Sequence, residues 1–212
     1  MIALLCMLSL RTFVRNMDWQ NEVKLYTHDS NIEDNFELEN SLAVDLAGKG
    51  DYFDSLKRLQ QSVSLGQSET NLTNLAILEA ITHDYPAAKK YFAIAYNSPG
   101  SNGYFPHKHG TLLYTNYAKS LLLTDNSNLA EQIIMQGLND YPALSELWAY
   151  EAMERYKEGQ MDQATYAARK MYSYNQGEQS SYIYSNIIKK QPFTFSAFNQ
   201  TYTFSFHNMR SF

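Results

Sequence analysis

A short turn motif returns about every 34 residues along this chain, and that period constrains the fold more than any other feature. Gly50-Asp51-Tyr52-Phe53-Asp54-Ser55-Leu56 recurs as His83-Asp84-Tyr85-Pro86-Ala87-Ala88-Lys89. Looser copies are Asp125-Asn126-Ser127-Asn128-Leu129-Ala130-Glu131 and Gly159-Gln160-Met161-Asp162-Gln163-Ala164-Thr165. Each copy lies between two amphipathic stretches of helix length, the signature of an all-α helical-repeat solenoid. Successive turns are 33, 42 and 34 residues apart, so about eight extra residues enter between the second and third units.

The residues of each unit explain the pattern. Leu38, Leu42 and Leu46 recur at i+4 and mark one apolar helix stripe. Gly50 then breaks the helix, since glycine adopts positive φ without a Cβ penalty, and Asp51 is placed to cap the next one. Leu56, Leu59 and Val63 form the second stripe, with small Ser55 where the paired helices approach. Later units repeat this with Leu72, Leu75 and Ala76 before Ala88, Phe92 and Ala95, and Tyr114, Tyr117, Ala118 and Leu121 before Ala130, Ile133, Ile134 and Leu138. Trp148 and Ala152 precede Ala164, Ala168 and Met171. Asp84 is a second cap, and Pro86 falls in a first turn, where a missing N–H costs nothing. Packing alone accounts for Trp148 and the tyrosines, at ~1.5–3 kcal/mol per buried large side chain.

These positions resemble the tetratricopeptide repeat (TPR) over roughly Phe36 to Glu178. Trp148, Ala152, Gly159 and Ala164 fit one unit; Gly50, Tyr52, Ala88, Phe92, Ala95, Ala130 and Pro142 fit others. Glu79 and Arg155 depart from it, standing where an aromatic is usual. The resemblance implies a right-handed solenoid of about four TPR-like helix pairs with capping helices and an aromatic C-terminal tail. The expected segments are 1–15 apolar, 16–34 a capping helix, and 35–178 the array, divided at 36–69, 69–102, 111–144 and 145–178. Residues 179–192 are expected as a C-terminal helix and 193–212 as the aromatic tail.

In such arrays the first helix of each unit lines an inner groove. By register that face takes Glu37, Asn40, Val44, Thr73, Ile77, Thr115, Lys119, Met153 and Tyr156. Only Lys119 and Asn40 suit a clamp for a peptide carboxylate, so an extended peptide or a helix laid along a mixed groove fits better. The other occupant to weigh is the chain's own loop or tail.

The extra residues fall in 97–110, a Gly-, Pro-, Ser- and Asn-rich loop carrying Tyr104, Phe105, His107 and His109. Two imidazoles at i, i+2 without a third ligand fall short of a zinc site, so no metal is expected. No nucleotide loop, GxSxG elbow or HExxH is present, and no cofactor or catalytic residue is assigned. The net charge of −5 argues against nucleic acid as a partner. Cys6 is the only cysteine, which removes disulfides and CxxC metal sites. Asn71-Leu72-Thr73 and Asn199-Gln200-Thr201 match the glycosylation acceptor pattern, which is common by chance.

The ends differ from the repeats. Met1 to Leu10 is apolar and precedes Arg11 and Arg15; it is too short to span a bilayer alone, which takes about 20 apolar residues. It reads either as the end of a membrane helix or as the apolar face of a first soluble helix. The segment Arg15-Asn16-Met17-Asp18-Trp19-Gln20-Asn21-Glu22 after that run resembles the junction following the last membrane helix in multi-span glycosyltransferase-like proteins with C-terminal TPR arrays, such as the transmembrane-and-TPR O-mannosyltransferases. That resemblance implies an extracytoplasmic repeat domain at a membrane, with any transferase activity in sequence upstream. A free-standing cytoplasmic adaptor is the alternative. In the tail, Phe193 and Phe195, then Tyr202, Phe204 and Phe206, alternate with polar residues and suggest extended structure.

Overall fold

The computed structural model describes residues 2–18, 26, 35–98 and 108–191. Within these it is entirely helical, with no strand. An N-terminal helix α1 (Ile2–Asp18) precedes the array. The first unit pairs α2 (Phe36–Gly48) with α3 (Tyr52–Leu65), and the second pairs α4 (Glu69–Ile81) with α5 (Tyr85–Asn97). The third joins α6 (Thr111–Leu123) to α7 (Ser127–Asp140), and the fourth α8 (Ser145–Lys157) to α9 (Met161–Tyr174). Helix α10 (Glu178–Ile188) follows. The tail 193–212, loop residues Tyr104, Phe105 and His107, and most of 16–34 lie outside the described residues.

The turn motif has a backbone cause. Its first residue is left-handed in every copy: Gly50 at φ 83°, His83 at 67°, Asp125 at 53° and Gly159 at 76°. The next residue then closes a 6→1 bond, from Asp51 N–H to Leu46 O at 3.0 Å, Asp84 to Glu79 at 2.8 Å, Asn126 to Leu121 at 2.9 Å and Gln160 to Arg155 at 2.8 Å. This is the Schellman ending, which satisfies carbonyls that a helix end would otherwise orphan. Asp51 and Asp84 cap the following helices through Asp54 N–H and Ala87 N–H. Lys190, at φ 54°, and the Gln191-to-Asn186 bond of 2.9 Å repeat the geometry after α10. The helix expected as a plain terminal cap therefore ends like the first helix of a fifth unit.

Packing follows the same register. Ser55, Ala88, Ala130 and Ala164 are equivalent positions in the second helices, all fully buried, because the paired backbones meet there. Ser55 uses the approach to donate its hydroxyl to Ala43 O at 2.7 Å. Ala43, Ala76, Ala118 and Ala152 supply the matching small residues on the first helices. The core divides in two: a small cluster of Ala43, Ala47, Leu59, Leu75 and Leu78, and a larger one running from Leu72 to Ile187. Trp148, expected in the core, is half-buried at its edge; its indole N–H donates to Pro142 O at 2.8 Å and its ring meets Tyr166 edge-on.

First helices pack on first helices, α2 with α4, α4 with α6, α6 with α8 and α8 with α10. Each second helix packs on its own first helix and on the next one, and no substantial contact joins second helices to each other. The first helices thus form the tighter layer, and the array curves toward them.

Candidate functional site

The residues expected along the groove all lie on first helices. Asn40, Thr73, Thr115 and Ala149 occupy one equivalent position on α2, α4, α6 and α8; Val44, Ile77, Lys119 and Met153 occupy the position one turn on. Asn40 and Val44 are half-buried, Glu37 is exposed, and Thr73, Ile77, Thr115, Lys119 and Met153 are buried. Asn40 Oδ1 accepts from Asn74 Nδ2 at 2.8 Å, a rung between the first two units. Thr115 donates its hydroxyl to Thr111 O at 3.1 Å, whereas the Thr73 hydroxyl finds no partner among the described residues. Tyr156 stands apart in register, aligned with Ala47, Ala80 and Leu122 near the end of α8. Its hydroxyl donates to Gln191 O at 2.9 Å, tying α8 to the turn after α10.

Lys119 is 3% exposed. Burial pushes its ammonium down to about 8, opposed by the nearby carboxylate of Glu146. The same burial pushes Glu146 up, while the Tyr150 hydroxyl at 3.0 Å and Lys119 hold it down. The ammonium of Lys119 and the carboxyl of Glu146 each favour the other's charged form against desolvation. Sequence reasoning missed Glu146, because its partner lies a whole repeat away.

The far end of the inserted loop is anchored rather than free. His109 Nδ1 lies 2.9 Å from Glu69 Oε2, and Gly110 N–H donates to Glu69 Oε1 at 2.7 Å. The His109 ring leans on Tyr96 at 4.9 Å and meets Tyr114 edge-on at 5.8 Å. Tyr114 donates to Asp140 Oδ2 at 2.6 Å, and Tyr141 donates to His109 O at 2.8 Å. Burial and the Asp140 contact push the Tyr114 phenol far above its ordinary value. Of the loop candidates only His109 falls among the described residues, and its imidazole is committed to this junction. Glu69, Asp140, Tyr96 and Tyr141 were not singled out from sequence; the spacing of 42 marks the insertion but not its anchors.

Asn71, in the first acceptor pattern, is 1% exposed. Its amide donates to Ser62 Oγ at 2.9 Å and Gly66 O at 2.6 Å, which leaves no room for a glycan. The groups of three or more His, Cys, Asp or Glu that could hold a metal are absent among the described residues.

This arrangement is a TPR-like helical-repeat solenoid, and known structures share it. YrrB, described as a TPR protein with an unusual peptide-binding site, superposes with a TM-score of 0.63 at 15% identity, covering 78% of this chain and 84% of that one. MamA from Desulfovibrio magneticus RS-1 (residue 41 to its end) gives 0.59 at 15% identity, covering 74% and 87%. A double mutant of MamA RS-1 gives 0.62 at 14% identity, over 79% and 92%. At these identities the likeness is one of fold. No protein-family model matches the sequence, and no curated protein matches it.

Proposed function

We propose that this chain is a non-catalytic protein-interaction scaffold that holds an extended peptide or a partner's helix against its first-helix layer. The observation that carries this is the layer itself: its outer side is backed by the second helices, and no described helix backs the other. Mixed apolar and polar positions from Asn40 to Met153 recur along it once per unit, as a peptide-reading surface requires. The peptide-binding site of YrrB, on a similar fold, supports the reading.

The finer proposal is that the scaffold works at a membrane, as the extracytoplasmic C-terminal part of a multi-span glycosyltransferase-like protein. Two features support it. The junction from Arg15 to Glu22 is one. The other is α1, where Met7, Leu8, Leu10, Phe13 and Val14 are all more than half exposed beside Arg11, a combination suited to lipid and its headgroups. Any sugar-transfer chemistry would then belong to upstream sequence, with this domain presenting the acceptor. No helix among the described residues is long and apolar enough to cross a membrane. A free-standing adaptor is the second reading.

Vesicle flotation and a pull-down test the two parts. The full chain should float with phospholipid vesicles, and Leu10→Asp/Phe13→Asp should abolish flotation; a wild-type chain that stays in solution favours the free-standing adaptor. Val44→Asp, on the half-buried rim of α2, should lose captured partners without lowering the melting temperature. Unchanged capture would exclude the groove.

A further inference from the structure

Helix α1 leaves its apolar side chains in water. Every residue from Cys6 to Val14 is exposed, with Met7 at 71% and Leu10 and Phe13 at 65%. A patch of that kind marks a contact with a lipid surface or with another protein. Its layout narrows the choice. At 3.6 residues per turn, Cys6, Met7, Leu10, Phe13 and Val14 fall within an arc of about 120°, and Ser9, Arg11, Thr12 and Asn16 fall outside it. Leu8 interrupts the polar arc. A helix that crosses a bilayer is apolar all round, whereas one divided in this way lies along the surface with its apolar arc at the acyl boundary.

Charge identifies the surface. Residues 1–17 hold Arg11 and Arg15 and no Asp or Glu, so all 22 acidic residues of the chain lie from Asp18 onward. An anionic surface therefore attracts α1 and repels the acidic remainder, which fixes the part of the chain that approaches it. Arg11 stands where the two arcs meet, one turn from Met7 and from Val14. From there its stem can lie on the apolar arc while its fork of donors reaches a phosphate. A second copy of α1 would bring only further arginines to this place, with no carboxylate before Asp18 to answer them.

We propose that α1 lies in the plane of an anionic phospholipid surface, its apolar arc among the acyl chains and its arginines at the phosphates. This rests on the reading of the chain as a membrane-side scaffold, and adds the lipid class and the angle of contact. Each arginine near such a surface strengthens partitioning about five-fold. Salt screens that share of the attachment and leaves the apolar share in place.

Co-sedimentation of the full chain with vesicles tests this, comparing phosphatidylcholine alone with an equal mixture of phosphatidylcholine and phosphatidylglycerol. Binding to the mixed vesicles should be about ten-fold tighter, and Arg11→Gln should weaken it about five-fold with no change on the neutral ones. Cys6, the one cysteine of the chain, takes a fluorophore, and Cys6→Ser/Thr12→Cys moves that label to the polar arc. Lipids brominated in their acyl chains should quench the label at position 6 and spare the label at position 12. Equal binding to both vesicles, or equal quenching at both positions, would overturn the proposal and leave a membrane scaffold standing. No binding to either vesicle would remove the membrane reading as well, and Cys6 cross-linking between copies in solution would then assign the face to a second copy.

Discussion

The Glu69 carboxylate, at the first turn of α4, takes both His109 Nδ1 at 2.9 Å and the Gly110 N–H at 2.7 Å, and so clasps the far end of an insertion forty residues downstream. The clasp fixes where α6 begins, because Gly110 is its N-cap and has no side chain to do that work. An insertion of this size then costs the array little, since closure entropy grows only slowly with loop length.

A double-mutant cycle of Glu69→Gln and His109→Ala should therefore show coupling of about 1 kcal/mol in urea unfolding. Additive effects would mean that the two groups do not act on each other.

Glycines in this chain serve two different purposes, and alanine separates them. At Gly159 a Cβ would meet nothing within 4 Å, but φ is 76°, so Gly159→Ala should cost about 1–2 kcal/mol through backbone strain alone. At Gly137, inside α7, a Cβ would run into Leu147 Cδ1 and come 3.0 Å from Tyr114 Cγ. Gly137→Ala should lose about 1–3 kcal/mol by overpacking despite better helix propensity. Relief of the Gly137→Ala loss by Leu147→Val, with no relief at Gly159→Ala, is the expected thermal-melting result.

Glu39 is 1% exposed at a position where other units place Leu72, Tyr114 and Trp148. Arg58 Nη1 reaches both of its oxygens at 3.1 Å. Arg58→Ala should cost about 3 kcal/mol by stranding a buried carboxylate, whereas Glu39→Leu/Arg58→Met together should be nearly neutral. Chemical denaturation decides it: a double variant as weak as the single one would show that the pair contributes more than its own solvation.

Lys119 sets a pH dependence. Burial lowers it from its ordinary value to about 8 in the folded chain. Between pH 8 and about 10 the unfolded chain still holds a proton that the folded one has released, so stability rises with pH. Above about 10, Tyr96, Tyr114 and Tyr117 act the other way, because burial raises each and the unfolded chain ionises first. Lys119→Met should remove the rise between pH 8 and 10 in urea titrations; an unchanged slope would place the effect elsewhere.

The helix pairs were readable from sequence because each turn needs one left-handed residue and one cap, and Gly50, Asp51, Asp84 and Gly159 are the residues that supply them cheaply. The turn at Lys190 escaped notice for the same reason, since lysine carries no such signal. Departures from the repeat pattern became explicable only in three dimensions. Arg155, in place of an aromatic, pairs with Glu131, Glu151 and Glu158, and no local pattern joins residues 24 positions apart. Register was enough to put the groove candidates on first helices. Their depth of burial was not legible, because periodicity assigns a residue to a face without saying how closely neighbouring helices crowd it.

The division of the core has a mechanical consequence. The cluster around Leu59 and Leu75 touches the larger one through shared neighbours Val63 and Tyr91, and the seam near Ser62, Gly66 and Asn71 is closed by hydrogen bonds that water can replace. A chain pulled from its two ends would yield first where this small cluster joins α4, releasing the first helix pair as slack while the remaining units stay folded. The first pair is a shock absorber built into the array.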